Sequence, residues 1–165
     1  MTTKPVTYLV RAATPADTEK ILALWQEAAD MLANADKRYR FAPDAVTRRQ
    51  SLLREWLERP DVAVFVAESM IKEGHLLGYI VGSVVENLPT LLPEKHGYVS
   101  DLAVDAHGKA GGIGRNLFEA LKGWFRDRGV THVEARVPHR HAVAQAFWRA
   151  LGATEWYEHL WLKLE

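Results

Sequence analysis

The stretch from Val99 to Leu117, Val-Ser-Asp-Leu-Ala-Val-Asp-Ala-His-Gly-Lys-Ala-Gly-Gly-Ile-Gly-Arg-Asn-Leu, joins a strand-like run to an amphipathic helix pattern through a loop holding Lys109, Gly111, Gly112 and Gly114. Glycines let successive backbone N–H groups turn toward one anion, and the first turn of the following helix adds unpaired donors and the positive end of its dipole. The expected ligand therefore carries phosphates. A Walker-type loop is excluded, because Lys109 precedes the glycines and no Ser or Thr follows them to hold magnesium. A dinucleotide fingerprint fits poorly as well: Leu117 stands where a third glycine belongs, and seven residues separate Val104 from Gly112. Glu134, about twenty residues beyond the loop, is the one feature that would suit it.

The spacing resembles that of the GNAT superfamily of acyl-CoA-dependent N-acetyltransferases. In that family a strand ending Leu-x-Val is followed, five residues after the Val, by Arg or Gln, then two residues, Gly, any residue, and Gly or Ala. Here Leu102 and Val104 end the strand, Lys109 takes the basic place, and Gly112 and Gly114 fall in register. Lys for Arg is a departure, and glycines that merely punctuate a strand-to-helix junction are the plainer alternative. The resemblance implies acetyl-CoA as cofactor. Its diphosphate would lie against Lys109, Ala110, Gly111, Gly112, Ile113, Gly114 and Arg115, and its pantetheine arm along the backbone of Leu102, Ala103 and Val104, which would also polarise the thioester carbonyl.

Acetyl transfer to an amine needs the thioester held still, its carbonyl polarised and a neutral amine placed in line. Because alkyl ammonium ions are mostly protonated near neutral pH, a base is wanted. The family often carries it on the fourth strand at positions that are here Tyr98 and Ser100, neither of them basic. Asp101 is next to them but falls on the opposite face of a regular strand, so it serves only if a bulge turns it. Glu86, at the end of the preceding strand, is the other acid near the expected cleft. For both carboxylates a merely structural or solvated role stands as the alternative. A second family frame runs Asn, two residues, Ala, two residues, an apolar residue, Tyr, three residues, Gly. It reads here His141, Ala144, Phe147, Trp148 and Gly152. His141 would then touch the cofactor arm. Trp148 would pack there or donate to the leaving sulfur, since an indole N–H gives a hydrogen bond but not a proton. Tyr98 and Tyr157 are substitutes for the missing Tyr hydroxyl. A metal site is not expected: His132, His139, His141 and His159 lack ligand spacing with carboxylates.

These residues need a scaffold, and the hydrophobic pattern supplies one. Tyr8–Ala12 reads as a strand, and Thr14 to Asp17 as a helix start with Pro15 at the first helical position. Ile21, Leu24, Trp25 and Ala28 share a helical face, and a second helix runs from about Asp44 to Leu57. Runs 62–68 and 76–86 are rich in β-branched residues and separated by Gly74, the mark of a hairpin. Residues 87–95, with two prolines, form a loop. A fourth strand spans 97–104, a helix begins at Ile113 and stops at Gly129, a buried strand covers 131–137, a short helix 142–151, and a terminal strand 155–164. The resemblance extends this to an α/β (α+β) fold. It implies a mixed, mostly antiparallel sheet of six to seven strands flanked by about four helices, with strands four and five splayed. The acceptor would enter near the interhelical residues Asp30, Asp36, Arg38 and Tyr39, and the loop residues Leu91 and Leu92.

Composition narrows the classes. The 165 residues are 48% hydrophobic, which suits a single domain, 1–165, with one core. The balance of 21 basic and 21 acidic residues argues against nucleic acid or acidic lipid as partners. With no cysteine there are no disulfides or thiolate nucleophiles, and no apolar run reaches the length of a membrane span, so a cytoplasmic location is expected. The expected activity is N-acetyl transfer from acetyl-CoA to a primary amine of a small molecule or peptide, by direct attack in a ternary complex. A noncatalytic acyl-CoA-binding or regulatory module on the same fold is the alternative, and a homodimer is left open.

Overall fold

The computed structural model of the chain describes residues 7–105 and 111–164. Within them the order is β1 (Tyr8–Ala12), a 3-10 turn (Pro15–Asp17), α1 (Thr18–Ala35), α2 (Ala45–Glu58), β2 (Val62–Ser69), β3 (Leu76–Glu86), β4 (Lys95–Val104), α3 (Ile113–Arg126), β5 (Val133–Ala135) and α4 (Ala142–Ala150). The strands make one sheet in sequence order, β1 to β4 antiparallel and β5 parallel to β4. The expected mixed, mostly antiparallel sheet with four helices is therefore present.

Each face of the sheet is covered by a helical layer whose apolar spacing dictates the contact. In α3, Ile113, Leu117, Leu121 and Phe125 recur every fourth residue and are at most 1% exposed, packed with Ile80 and Val99. The helix lies so close that a Cβ on Gly97 of β4 would fall 2.8 Å from the Phe125 ring. On the other face, Ile21 and Leu24 of α1 and Leu53 of α2 bury Val64, Val66, Tyr79 and Val81. Entry into α1 is fixed by charge. Asp17 accepts from the Thr14 backbone N–H at 2.8 Å and from Arg11 at 2.7 Å, while Arg11 also donates to Glu68 at 2.7 Å. These bonds, that from Arg11 foremost, hold the buried Asp17 carboxyl down at about 2.

Two expectations about strands are corrected. The sheet has five strands among the described residues rather than six to seven, and residues 155–164 form none. The strand expected over 131–137 is confined to Val133–Ala135. A short run rich in aromatic residues has β propensity but gains stability only from a neighbouring ladder and a face to pack on. Among the described residues the tail beyond α4 pairs with no strand, and its large apolar side chains stay exposed.

Candidate active site

The register of β4 changes in its middle. Val81 of β3 faces Asp101 and Gly82 faces Val99, so Ser100 is an extra residue, a β-bulge. On its N-terminal side Gly97 and Val99 face α3; beyond it Leu102 packs toward α3 and Ala103 toward α1 and α2. Asp101 is thereby turned onto the face of Tyr98, which a regular strand forbids. At the same place β5 leaves. Its ladder with β4 ends at Val99 and Ala135, whereas β4 continues to Val104. From Ser100 onward that edge of β4 has no strand beside it among the described residues, and the backbone of Leu102, Ala103 and Val104 borders the opening.

Asp101 does not stand alone there. Its Oδ1 accepts from Nη2 of Arg49 at 2.6 Å and from the Tyr79 hydroxyl at 3.4 Å. The Arg49 guanidinium lies against the faces of Trp56 and Trp25, 4.7 and 5.4 Å from the ring centroids, and its buried Nε has no hydrogen-bond partner among the described residues. The Tyr79 hydroxyl is pushed well above its usual range, by burial first and by the Asp101 charge second, so it stays protonated and acts as a donor. Sequence reasoning named Asp101 and missed its partners. The available signal was Arg49 at helical spacing from Leu53 and Trp56, a cation on an apolar stripe.

At the C-terminal end of β4, Lys109 and Ala110 lie outside the described residues. Gly111 occupies an exposed turn where a Cβ would meet nothing within 4 Å, and Gly112 caps α3 in the left-handed region with φ of 95°. A side chain at Gly112 would be strained whatever the space. Ile113 points into the core, so only its backbone can face a ligand, while Arg115 is exposed on the first turn. Gly114 serves packing too: a Cβ there would sit 3.2 Å from the Phe147 ring, so α4 approaches α3 at this residue. The helix start is pinned to β1 by Asn116 Nδ2 donating to the Tyr8 hydroxyl at 2.8 Å, a contact across 108 residues that no local pattern shows.

The remaining expected residues separate. His141 is the N-cap of α4, its Nδ1 accepting from the Ala144 N–H at 3.1 Å, which leaves the proton on Nε2. Trp148 packs edge-to-face on Phe118 and Phe147, with centroids 5.2 and 5.3 Å away. Tyr98 is half-buried with Arg136 5.9 Å from its ring. Glu86 is exposed opposite Lys95 at the far end of the β3–β4 ladder and is not brought to Asp101. Tyr157 is 72% exposed. On the acceptor side Asp36 pairs with Arg38, which holds its carboxyl well below the usual range, with Arg140 adding a smaller attraction. No group of metal-ligating side chains occurs among the described residues, and no helix of them is long and apolar enough to cross a membrane.

The family model for the acetyltransferase (GNAT) family matches residues 24–153. No curated protein matches by sequence. Among solved structures, a point mutant of the BH1408 protein from Bacillus halodurans is 26% identical, with a TM-score of 0.82 over 95% of this chain and 99% of that one. The aminoglycoside N-acetyltransferase AAC(6')-Iy, solved in complex with CoA, is 13% identical, with a TM-score of 0.78 over 99% of both chains. The aminoglycoside 6'-N-acetyltransferase AAC(6')-Ih from Acinetobacter baumannii is also 13% identical, with a TM-score of 0.75 over 96% of this chain and 98% of that one. At that identity the last two share the fold.

Proposed function

The chain belongs to the GNAT acetyltransferase family, and from that premise we propose that it transfers an acetyl group from acetyl-CoA to a primary amine of a small molecule or peptide, by direct attack in a ternary complex. The observation that carries this reading is the opened edge of β4 from Ser100 to Val104, lying between the Asp101 cluster and the left-handed Gly112 at the start of α3. The donor set suits coenzyme A: the first-turn amides of a 14-residue helix, with Arg115 beside them, would hold a diphosphate, and the unpaired strand edge would hold the amide-bearing pantetheine arm. When bound, acetyl-CoA supplies a thioester whose carbonyl carbon is open to a neutral amine.

The chain's own residues then divide the work. The backbone N–H groups of Leu102 and Val104, which alternate away from β3 onto the open edge, would orient and polarise the carbonyl, while that of Ala103 is turned into the β3 ladder. Among the described residues both hydrogen bonds to Asp101 go to Oδ1, so Oδ2 would receive the acceptor ammonium and accept its proton. Arg49 and Tyr79 position that carboxylate. Trp148, engaged with Phe118 and Phe147, would wall the cofactor arm, and Tyr98 or water would supply the proton that the released thiol needs.

One observation favours the second reading, a noncatalytic acyl-CoA-binding module: the position where the family commonly has a Tyr hydroxyl holds a packed indole. Thiol release from acetyl-CoA in the presence of amino acids, alkyl amines, N-terminal peptides and aminoglycosides tests both. Amine-dependent release above background hydrolysis is expected; CoA affinity without release on any amine makes it a binding module.

A further inference from the structure

One polar pair on the open face of the sheet takes no part in the transfer step. Alternation puts His96, Tyr98 and, past the bulge, Asp101 on one face of β4. Across the parallel ladder His132, Glu134 and Arg136 share that face, since Val133 and Ala135 pack toward α3. Tyr98 and Glu134 are half-buried there, and His132 and Arg136 exposed, so solvent reaches this floor. His96 is only 8% exposed.

The tautomer of His96 follows from its neighbours. Asn87 Nδ2 donates to the Pro93 carbonyl at 2.7 Å, which turns the amide oxygen toward His96, where it lies 2.8 Å from Nδ1. That oxygen accepts, so Nδ1 carries the proton and Nε2 of the neutral ring presents a lone pair. What Nε2 faces is another acceptor: Oε2 of Glu134 lies 3.7 Å away, too far for a direct hydrogen bond. His132 lies stacked beside the ring, centroids 6.0 Å apart. Arg136, on the same floor, leans toward the Tyr98 ring at 5.9 Å and holds no ion pair with Glu134, so the carboxylate is left for a ligand. A lone pair and a carboxylate held face to face by β4 and β5 are a receptor for one cationic N–H donor. A hydroxyl would bridge them but leave the charge of Glu134 unmatched.

We propose that His96 and Glu134 form a subsite for a second ammonium of the acceptor, so that the substrate is a diamine or longer polyamine. One nitrogen would sit at Asp101 Oδ2 for acetylation, the other between His96 Nε2 and Glu134. The inference deepens the acetyl-transfer reading and rests on it. From Gly97 to Asp101, less the bulged residue, β4 spans roughly 10 Å at about 3.3 Å per residue, which sets the separation of the two nitrogens. A monoamine fills only one end of such a site.

The test uses the full chain with acetyl-CoA and a panel of alkyl monoamines and α,ω-diamines from diaminopropane to diaminodecane. The diamine kcat/KM should pass through a maximum with chain length and there exceed that of the equally long monoamine at least about tenfold, the worth of one charge-assisted hydrogen bond. Glu134→Gln should bring that ratio down to about one, the loss falling on the diamine KM. Binding is read separately. With CoA bound, calorimetry should show the best diamine held at least about tenfold more weakly after Glu134→Gln, and titration with it should shift the His96 ring nitrogen resonances of the unsubstituted protein. Equal use of monoamines and diamines overturns the subsite and leaves acetyl transfer standing. So does a preference for α-amino acids, whose carboxylate would seek Arg136. Diamine binding indifferent to Glu134→Gln overturns it as well. Diamine binding that depends on Glu134, without acetylation of any amine, supports the subsite and removes the transfer reading.

Discussion

The region from β1 to α3 and the region from β5 to the tail are built to different standards. In the first, ladders run five to nine residues and α3 buries four side chains to 1% exposure or less. In the second, the ladder is three residues long and α4 buries none. The proposed site falls on the seam between them. Of the groups proposed to hold coenzyme A, Gly112 and the end of β4 stand on the dense side, while β5 and α4 stand on the loose side. On the proposed reading, the grip on the cofactor is the rigid part of the site and the face toward the acceptor the adjustable one.

The sharpest break in this contrast comes from truncating an aromatic ring on each side. Phe125→Ala should destabilise by about 3–5 kcal/mol in denaturant unfolding, whereas Phe147→Ala, half-buried on α4, should cost roughly 1–2 kcal/mol. Equal losses would erase the distinction. Gly112→Asp places a carboxylate and a strained left-handed residue at the start of α3, and should weaken CoA at least about 100-fold by calorimetry while the fold persists.

Acid probes the anchoring of the dense region. The Asp17 carboxyl titrates at about 2 when folded against a reference of 3.8. A depressed carboxyl contributes its stability above the unfolded value and loses it as pH falls toward the folded one. About 2 kcal/mol should therefore disappear between pH 4 and pH 2, and Asp17→Asn should flatten that slope in urea titrations. The smallest effect is expected at Trp148→Phe: less than about a threefold change in turnover, as a packing aromatic predicts. Loss of turnover with CoA binding intact would instead make its N–H a partner of the sulfur.

Much of the dense region was legible beforehand because its signals are local. Ile113, Leu117, Leu121 and Phe125 announce a helix by spacing, and the glycines after Val104 announce where its start is bared. The arrangement around Asp101 was not legible. A regular strand turns that side chain toward α3, and only pairing with β3 shows that Ser100 is extra. Arg49, 52 residues away, and Tyr79 join it through the packing of α2 and β3. The tail was misread for a related reason: its apolar residues fit a strand, and a strand exists only where a neighbouring edge receives it.

What the sequence by itself determined is the alternation of helices and strands and the glycine turn at an anion-ready helix start, because backbone freedom and side-chain periodicity act over a few residues. The tertiary structure alone decided which face of β4 carries Asp101, what holds it, and where β5 leaves β4. Those are matters of register and close approach between segments distant along the chain, and no short stretch of residues contains them.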